Sequence, residues 1–278
     1  MVRRKSFTRK VITFFVMSTI ALALVFFFYY QNNNLETTTY HLSNDRVGNV
    51  NIVHLSDLHG KQFGPRNQEL YARVMERAPD VIVCTGDMID YTARNFDNVI
   101  WFLGSLAEQV PVVYVSGNHE WRSERRDELL GCLSERGVFT LDNEIVTLAT
   151  AGGMVNIVGF DTRYTHEDEV PESQLLDRLS LMPGLRIVLS HYPQRYALIG
   201  DQSYKYHEFD LMFSGHAHGG VWILPNIGGL YAHGQGIKPT YYRGLYDDRL
   251  LVSAGLGYRF VPLRLFNYPQ IIEVRINE

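Results

Sequence analysis

The sequence predicts an α/β fold: two β-sheets packed face to face between outer helices, a four-layer αββα sandwich carried behind an N-terminal transmembrane helix. Three observations predict it. Strand-like and helix-like segments alternate through residues 49–137, the second half turns mainly to strands, and residues 11–30 carry no charge. The 278 residues are 46% apolar and 13% aromatic, enough for one large core and too few for a second full domain.

Val11–Tyr30 is rich in Phe, Leu, Val and Ile. At about 1.5 Å per residue, a helix of that length crosses a hydrocarbon core of about 30 Å. Arg3, Arg4, Lys5, Arg9 and Lys10 precede it, so residues 1–10 read as a cytoplasmic segment and everything after the helix as extracytoplasmic. The expected location is a cell membrane, crossed once. A cleaved leader requires an apolar core of about 7 to 15 residues and a small-x-small cleavage site, whereas this run ends in FFFYY. Arg3-Arg4 with Phe7 only faintly matches a twin-arginine export signal. Residues 31–48, with their Asn and Thr runs, read as a polar tether that spans at most about 60 Å, keeping the domain of residues 49–278 near the bilayer.

In that domain NVNIVHLSD reads as a strand, NQELYARVMERA as an amphipathic helix, DVIVCTGD as a strand and FDNVIWFLGSLAEQ as a helix. PVVYVSGN is the next strand, and SERRDELLGCLSERG a helix stopped at Gly137. This βαβαβα order predicts a largely parallel sheet. From residue 138, VFTLDNEIVTLATAGGMVNIVGF supplies several strands with turns at Asp142-Asn143 and Gly152-Gly153, and PESQLLDRLSLMPG one helix. RIVLSHYP, DLMFSGHAH, GGLYAHGQG, LLVSAGLGY and QIIEVRI read as further strands.

Charge narrows the partners. Residues 31–278 carry 21 basic against 30 acidic residues. An acidic domain repels polyanions, so no nucleic acid partner is expected, although a local cationic centre can still take one phosphate. Cys84 sits in an apolar run and Cys132 on an expected helix; neither has the spacing of a metal knuckle or redox pair, and a disulfide between them stays open.

Seven residues able to ligate a metal fall in five short blocks, each closing a strand-like run: Asp57 and His59 in HLSDLHG, Asp87 in TGDMID, Asn118 in SGNHE, His191 in LSHYP, and His216 and His218 in SGHAHGG. One such residue is usually a turn cap or a surface group. Five blocks in register place them where an open α/β sheet keeps its ligand crevice. Hydrolysing a phosphate ester requires neutralised phosphoryl charge, hydroxide near neutral pH and a stabilised departing alkoxide, tasks two metal ions about 3.5 to 4 Å apart can share. A donor set of N and O without thiolates fits Mn, Fe, Zn or Co and argues against a structural zinc site.

The blocks DLH at 57–59, GDMID at 86–90, GNHE at 117–120, His191 and GHAH at 215–218 resemble the calcineurin-like metallophosphoesterases. GHAHGG with WILP and the tail VSAGLG with PLRLFNYPQI look like their membrane-associated bacterial phosphodiesterase branch, with Val221 where that branch implies a polar residue. The resemblance implies that two divalent metal ions are held, one by Asp57, His59 and His218 and the other by Asn118, His191 and His216, with Asp87 bridging both. It implies His119 as the outer catalytic histidine, acting on the transferring phosphoryl group or the leaving oxygen, and Asp90 as its orienting carboxylate, although an Asp there can also cap a turn.

The expected function is membrane-anchored, metal-dependent hydrolysis of phosphomonoesters or phosphodiesters, with lipid headgroups, lipid-linked precursors or cell-envelope phosphates favoured by location. The alternatives are a nucleotide phosphodiesterase or nuclease, which would need a basic groove, and a non-catalytic interaction module, which should have lost ligands. His41, His54, His166, His207 and His233 read as structural or surface residues. Tyr204, Tyr206, Trp222, Tyr231, Tyr241 and Tyr242 stay unassigned, and the sequence sets no oligomeric state.

Overall fold

The computed structural model describes residues 2–162, 171–197, 203–258 and 263–277; His166 lies outside the described residues. The chain starts with α1 (Val2–Asn33), a helix without Gly or Pro to break it. Its span from Arg9 to Asn33 is long and apolar enough to cross a membrane, and none of its most apolar window is buried. Phe14, Phe26 and Tyr29 are among its exposed side chains.

The expected polar tether is corrected by the structure. Gln31, Asn32 and Asn33 extend α1, and Glu36–Ser43 form strand β1, which pairs in parallel with the last strand of the chain, Thr38 opposite Ile272. The reason lies in the residue types. A Thr-Thr-Thr-Tyr run is β-branched and aromatic, and it packs well on a pleated, half-buried surface. Tyr40 and Leu42 turn towards the core, while His41 is exposed.

Beyond β1 the first βα units follow: β2 (Val50–Leu55), α2 (Gln68–Met75), β3 (Val81–Cys84), α3 (Asp97–Ala107), β4 (Val112–Val115), α4 (Asn118–Arg122), α5 (Arg126–Glu135) and β5 (Phe139–Leu141). Gly137, at φ 83°, ends α5 in the left-handed conformation that stops helices. The chain then forms β6 (Glu144–Thr150), β7 (Gly153–Phe160), α6 (Glu172–Ser180), β8 (Leu185–Ser190) and β9 (Leu211–Ser214). Short pieces come next: β10 (Ile223–Leu224), β11 (Gly228–Gly229), β12 (Tyr231–Ala232), β13 (Gly236–Ile237), β14 (Gly244–Tyr246) and β15 (Leu250–Val252), before β16 (Gln270–Asn277). GGLYAHGQG is thus split between two small hairpins. Its glycines allow the chain to turn where one strand was expected, with Gly228, Gly234 and Gly236 all at positive φ.

Two six-stranded sheets result, ordered β1-β16-β2-β3-β4-β5 and β14-β15-β9-β8-β7-β6. β2 to β5 run parallel, as do β7, β8, β9 and β15. Alternation along the strands builds three apolar layers. Ile52, Val83, Val113, Ile187, Phe213 and Val274 fill the space between the sheets. Val53, Ile82 and Tyr114 face Leu70, Phe102 and Leu129 of the outer helices. Val158, Val188 and Met212 face Leu175, Leu176 and Leu179 of α6. This is the αββα sandwich the alternation predicts, and its central strands are apolar throughout because both faces are covered.

His54 is buried between the layers, with Nε2 2.7 Å from Thr85 Oγ1. Burial lowers its pKa to about 3, while the unfolded chain takes up that proton near 6.5. Between those values the unfolded state binds more protons, so stability rises with pH and is lost as pH falls below about 6.5. Acidification from pH 8 to pH 5 should therefore cost about 2 kcal/mol through this residue. Thermal unfolding of wild type and His54→Gln at both pH values checks this, because the variant should lose that much less stability on acidification.

Candidate metal centre

All seven candidate ligands follow the carboxyl ends of parallel strands. Asp57 and His59 follow β2, Asp87 follows β3, and Asn118 opens α4 just after β4; on the other sheet His191 follows β8, and His216 and His218 follow β9. Sandwiching the sheets brings these ends together at one crevice. Five of the seven sit at positive φ: Asp57 at 54°, His59 at 49°, Asp87 at 52°, His216 at 67° and His218 at 48°. That conformation costs an L-residue roughly 1–2 kcal/mol, and such strain persists where the surroundings over-determine the backbone. Here neighbouring loops fix it, with Asp57 N–H donating to Gly86 O at 3.0 Å and His59 N–H to Asp87 O at 2.9 Å. Glycine is required beside them. A Cβ on Gly117 would stand 2.2 Å from Asp87 Oδ1, and one on Gly215 would stand 2.3 Å from Asp57 Oδ2.

The side chains converge in two adjoining nests. In the first, His59 Nε2 and His218 Nε2 are 3.1 Å apart, and His218 Nε2 is 3.6 Å from Asp57 Oδ1. In the second, His191 Nε2 lies 3.1 Å from His216 Nδ1, 3.2 Å from Asn118 Oδ1 and 3.3 Å from Asp87 Oδ2. Asp87 stands between them, its Oδ2 also 3.9 Å from His59 Nε2. Among the described residues, Asp57 with His59 and His218, and Asp87 with His191 and His216, form groups that could hold a metal ion, as do His59, Asp90 and His119.

Donor chemistry tests whether a cation fits. His191 Nδ1 is 2.7 Å from Thr85 O, a carbonyl that can only accept, so Nδ1 carries a proton. Nε2 then presents its lone pair to a carboxylate oxygen and an amide oxygen, a cluster of acceptors that needs a positive charge at its centre. In the metal-free chain a proton fills that role: burial disfavours the charged ring, but Asp87 outweighs it and His191 rises to about 9. Burial also acts to raise Asp87 and is outweighed by His191, so Asp87 is held well below the usual carboxylate range. Burial lowers His59 to about 4 and His216 and His218 well below their ordinary value, which leaves their lone pairs free for ligation. Asp57 is pushed up to about 7, chiefly by burial, so a nearby cation would favour its ionised form.

His119 and Asp90 stand beside Asp87, His119 buried and Asp90 partly exposed. His119 Nδ1 accepts the Tyr91 N–H at 3.1 Å and is 3.4 Å from Asp90 Oδ2, while Nε2 is 4.0 Å from Asp87 Oδ2. The sequence reading missed three neighbours. Glu120 is wholly buried, and its carboxylate accepts N–H groups from Asp87 and Gly117 at 2.8 Å and from Ile89 at 3.2 Å; its place in GNHE was the available signal. The rings of Tyr192 and His233 lie 4.5 Å and 5.4 Å from that of His216, so His233, read as structural or surface, borders the crevice. Val221 adopts φ 61°, ψ −64°, a strained turn for a β-branched residue. Cys84 and Cys132 are both free.

A family model described as calcineurin-like phosphoesterase matches residues 50–220. The chain belongs to the calcineurin-like phosphoesterases. As a member it is a metal-dependent phosphoester hydrolase. Among curated relatives, it is 33% identical over 230 residues to YkoQ, an uncharacterized metallophosphoesterase of Bacillus subtilis, covering 80% of this chain and 82% of YkoQ. It is 27% identical over 235 residues to the phosphodiesterase YaeI of Escherichia coli, covering 82% of each. A solved structure of phosphopantetheinyl hydrolase (PptH) from Mycobacterium tuberculosis matches with TM-score 0.45 and 15% identity, over 75% of this chain and 91% of that one.

Proposed function

We propose that this phosphoesterase is anchored in a cell membrane by α1, with its N-terminus cytoplasmic and its catalytic domain outside, and that a dinuclear centre hydrolyses phosphodiesters or phosphomonoesters there. The observation that carries the reading is the ring of acceptors around His191 Nε2, formed by Asp87 and Asn118, beside the paired imidazoles of His59 and His218. Asp57, His59 and His218 would hold one cation, and Asn118, His191 and His216 the other, with Asp87 shared. Bound there, two divalent ions among Mn, Fe, Zn and Co would supply the charge that polarises the phosphoryl oxygens and acidifies the attacking water. The description of YaeI as a phosphodiesterase favours a diester, and anchoring favours lipid headgroups, lipid-linked precursors or envelope phosphates.

His119 handles the leaving group. The N–H of Tyr91 occupies its Nδ1, which places the neutral ring's proton on Nε2, the atom facing Asp87 and the crevice. When a second proton enters at Nδ1, where Asp90 Oδ2 at 3.4 Å takes its hydrogen bond in place of the Tyr91 N–H, the imidazolium can give its Nε2 proton to the departing oxygen and return to the neutral ring. His119→Ala should lower kcat about 10²- to 10⁴-fold while metal content stays at the wild-type value. The test of the whole reading is hydrolysis of bis-p-nitrophenyl phosphate and p-nitrophenyl phosphate by the purified chain, stripped with chelator and then reloaded with each metal. No recovery of turnover with any of them would overturn it.

A further inference from the structure

We infer that the loop residues Tyr258, Leu263 and Phe266, together with the last turns of α1, form one surface that seats in the lipid bilayer and holds the metal centre against the headgroup layer. The inference rests on the reading of α1 as membrane-spanning, and goes beyond anchoring because it fixes which face of the domain meets the lipid.

The loop leading into β16 is bonded to both the centre and the helix. On the centre's side, Gly257 N–H donates to Asp57 O at 2.6 Å and Leu256 N–H to Ser56 O at 3.0 Å, and Asn267 Nδ2 donates to His218 O at 2.8 Å. Towards the helix, Arg264 N–H donates to Asn32 Oδ1 at 3.3 Å and Gln31 Nε2 to the Tyr268 hydroxyl at 3.1 Å. Phe266 and Tyr268 meet Phe27 and Tyr30 edge to face at 6.2 and 6.0 Å. Arg264 ties the described stretches on either side together: its buried guanidinium donates to Ala254 O and Gly255 O at 3.0 Å and to Tyr268 O at 3.2 Å. Lys61, two residues past His59, donates to Asn32 O.

There is also no slack. Asn34 and Leu35 alone separate α1 from β1, and Leu35 is itself buried. The helix direction is thereby set relative to the domain, and so is the domain's height above the membrane. A groove of about 370 Å³ runs between Leu24, Val25, Phe28 and Tyr29 of α1 and Tyr258 and Leu263 of the domain. Leu24 lies about 13 Å before the end of the helix, so when α1 sits in hydrocarbon these two domain residues sit at its boundary.

The chemistry of the patch suits that depth. Tyr258 and Phe266 are 39% and 49% exposed, as aromatic rings at a membrane interface are. The Lys61 ammonium lies 4.4 Å from the Phe63 ring centre and 5.7 Å from that of Tyr258, an apolar stem with its charge at the polar edge. Lipid acyl chains are the occupants that leave neither the groove nor these rings facing water.

Depth-dependent quenching tests this on the full chain in phosphatidylcholine and phosphatidylglycerol vesicles. Single cysteines replacing Val25, Tyr258, Phe266 or Leu181, in a Cys132→Ser background, carry a bimane label and are titrated with brominated phosphatidylcholine. Labels at 258 and 266 should lose emission as the label at 25 does, and the label at 181, on a residue 86% exposed beside α6, should not. Quenching at 25 but not at 258 and 266 would overturn the seating and leave the spanning helix intact. Absence of quenching at 25 would remove the spanning reading and this inference with it.

Discussion

An Asp87→Asn chain should fold yet hydrolyse bis-p-nitrophenyl phosphate on the order of 10³-fold more slowly or worse, with metal content measurably reduced. The size follows from charge. Asp87 lies in both nests, its Oδ2 3.3 Å from His191 Nε2 and 3.9 Å from His59 Nε2, and a carboxylate shared by two cations offsets their mutual repulsion. Loss of a single preorganised charge-stabilising group in an active site costs about 10²–10³-fold, and in the proposed dinuclear centre two ions would depend on the same one. Asn preserves the structural half of the residue, because its amide oxygen can still accept the His119 N–H that Oδ1 accepts at 2.7 Å. Turnover within tenfold of wild type at full metal loading would show that Asp87 is not the carboxylate the two cations share.

Glu120→Ala should act mainly on stability. Its carboxylate satisfies three buried N–H groups on Asp87, Gly117 and Ile89, and each donor left unpaired costs roughly 1–3 kcal/mol. Burial, followed by repulsion from Asp87, raises the Glu120 pKa, so its removal relieves some electrostatic cost and offsets part of the loss. A net destabilisation of about 3 kcal/mol remains, or roughly 6–12 °C in Tm for a domain of this size. Metal affinity should fall about 10- to 100-fold, the usual consequence of losing a group that orients a ligand. Calorimetry of the metal-free chain and competitive metal titration read the two effects separately. An unchanged Tm would show that water replaces the carboxylate at all three donors.

The sequence carries the architecture because its central strands and helices have distinct periods. VIVC and VVYV are apolar without interruption, as strands covered on both faces must be, and α2 and α6 show helical spacing of their buried residues. The candidate site is legible as a set because each block closes such a strand. Glu120 escaped because GNHE marks its position but not its role: nothing in the block shows that the carboxylate turns inward to accept three backbone N–H groups. β1 escaped because Thr and Asn suggest a solvated linker until the far end of the chain arrives to pair with them. The docking of α1 was equally hidden: Asn32, Lys61 and Arg264 look like ordinary polar residues, and only the fold brings them together.

The pairing of β1 with β16 has a bearing on biogenesis. Thr38 and Gln270, hydrogen-bonded in the finished sheet, are 232 residues apart. At a synthesis rate of about 5–20 residues per second, the first strand waits roughly 10–50 s for its neighbour after leaving the ribosome. Throughout that interval it is an unpaired strand held beside the long apolar helix α1, a position that invites aberrant pairing between nascent chains. Its threonines make that delay tolerable, because they form a good strand once a partner exists yet offer little sticky surface before then.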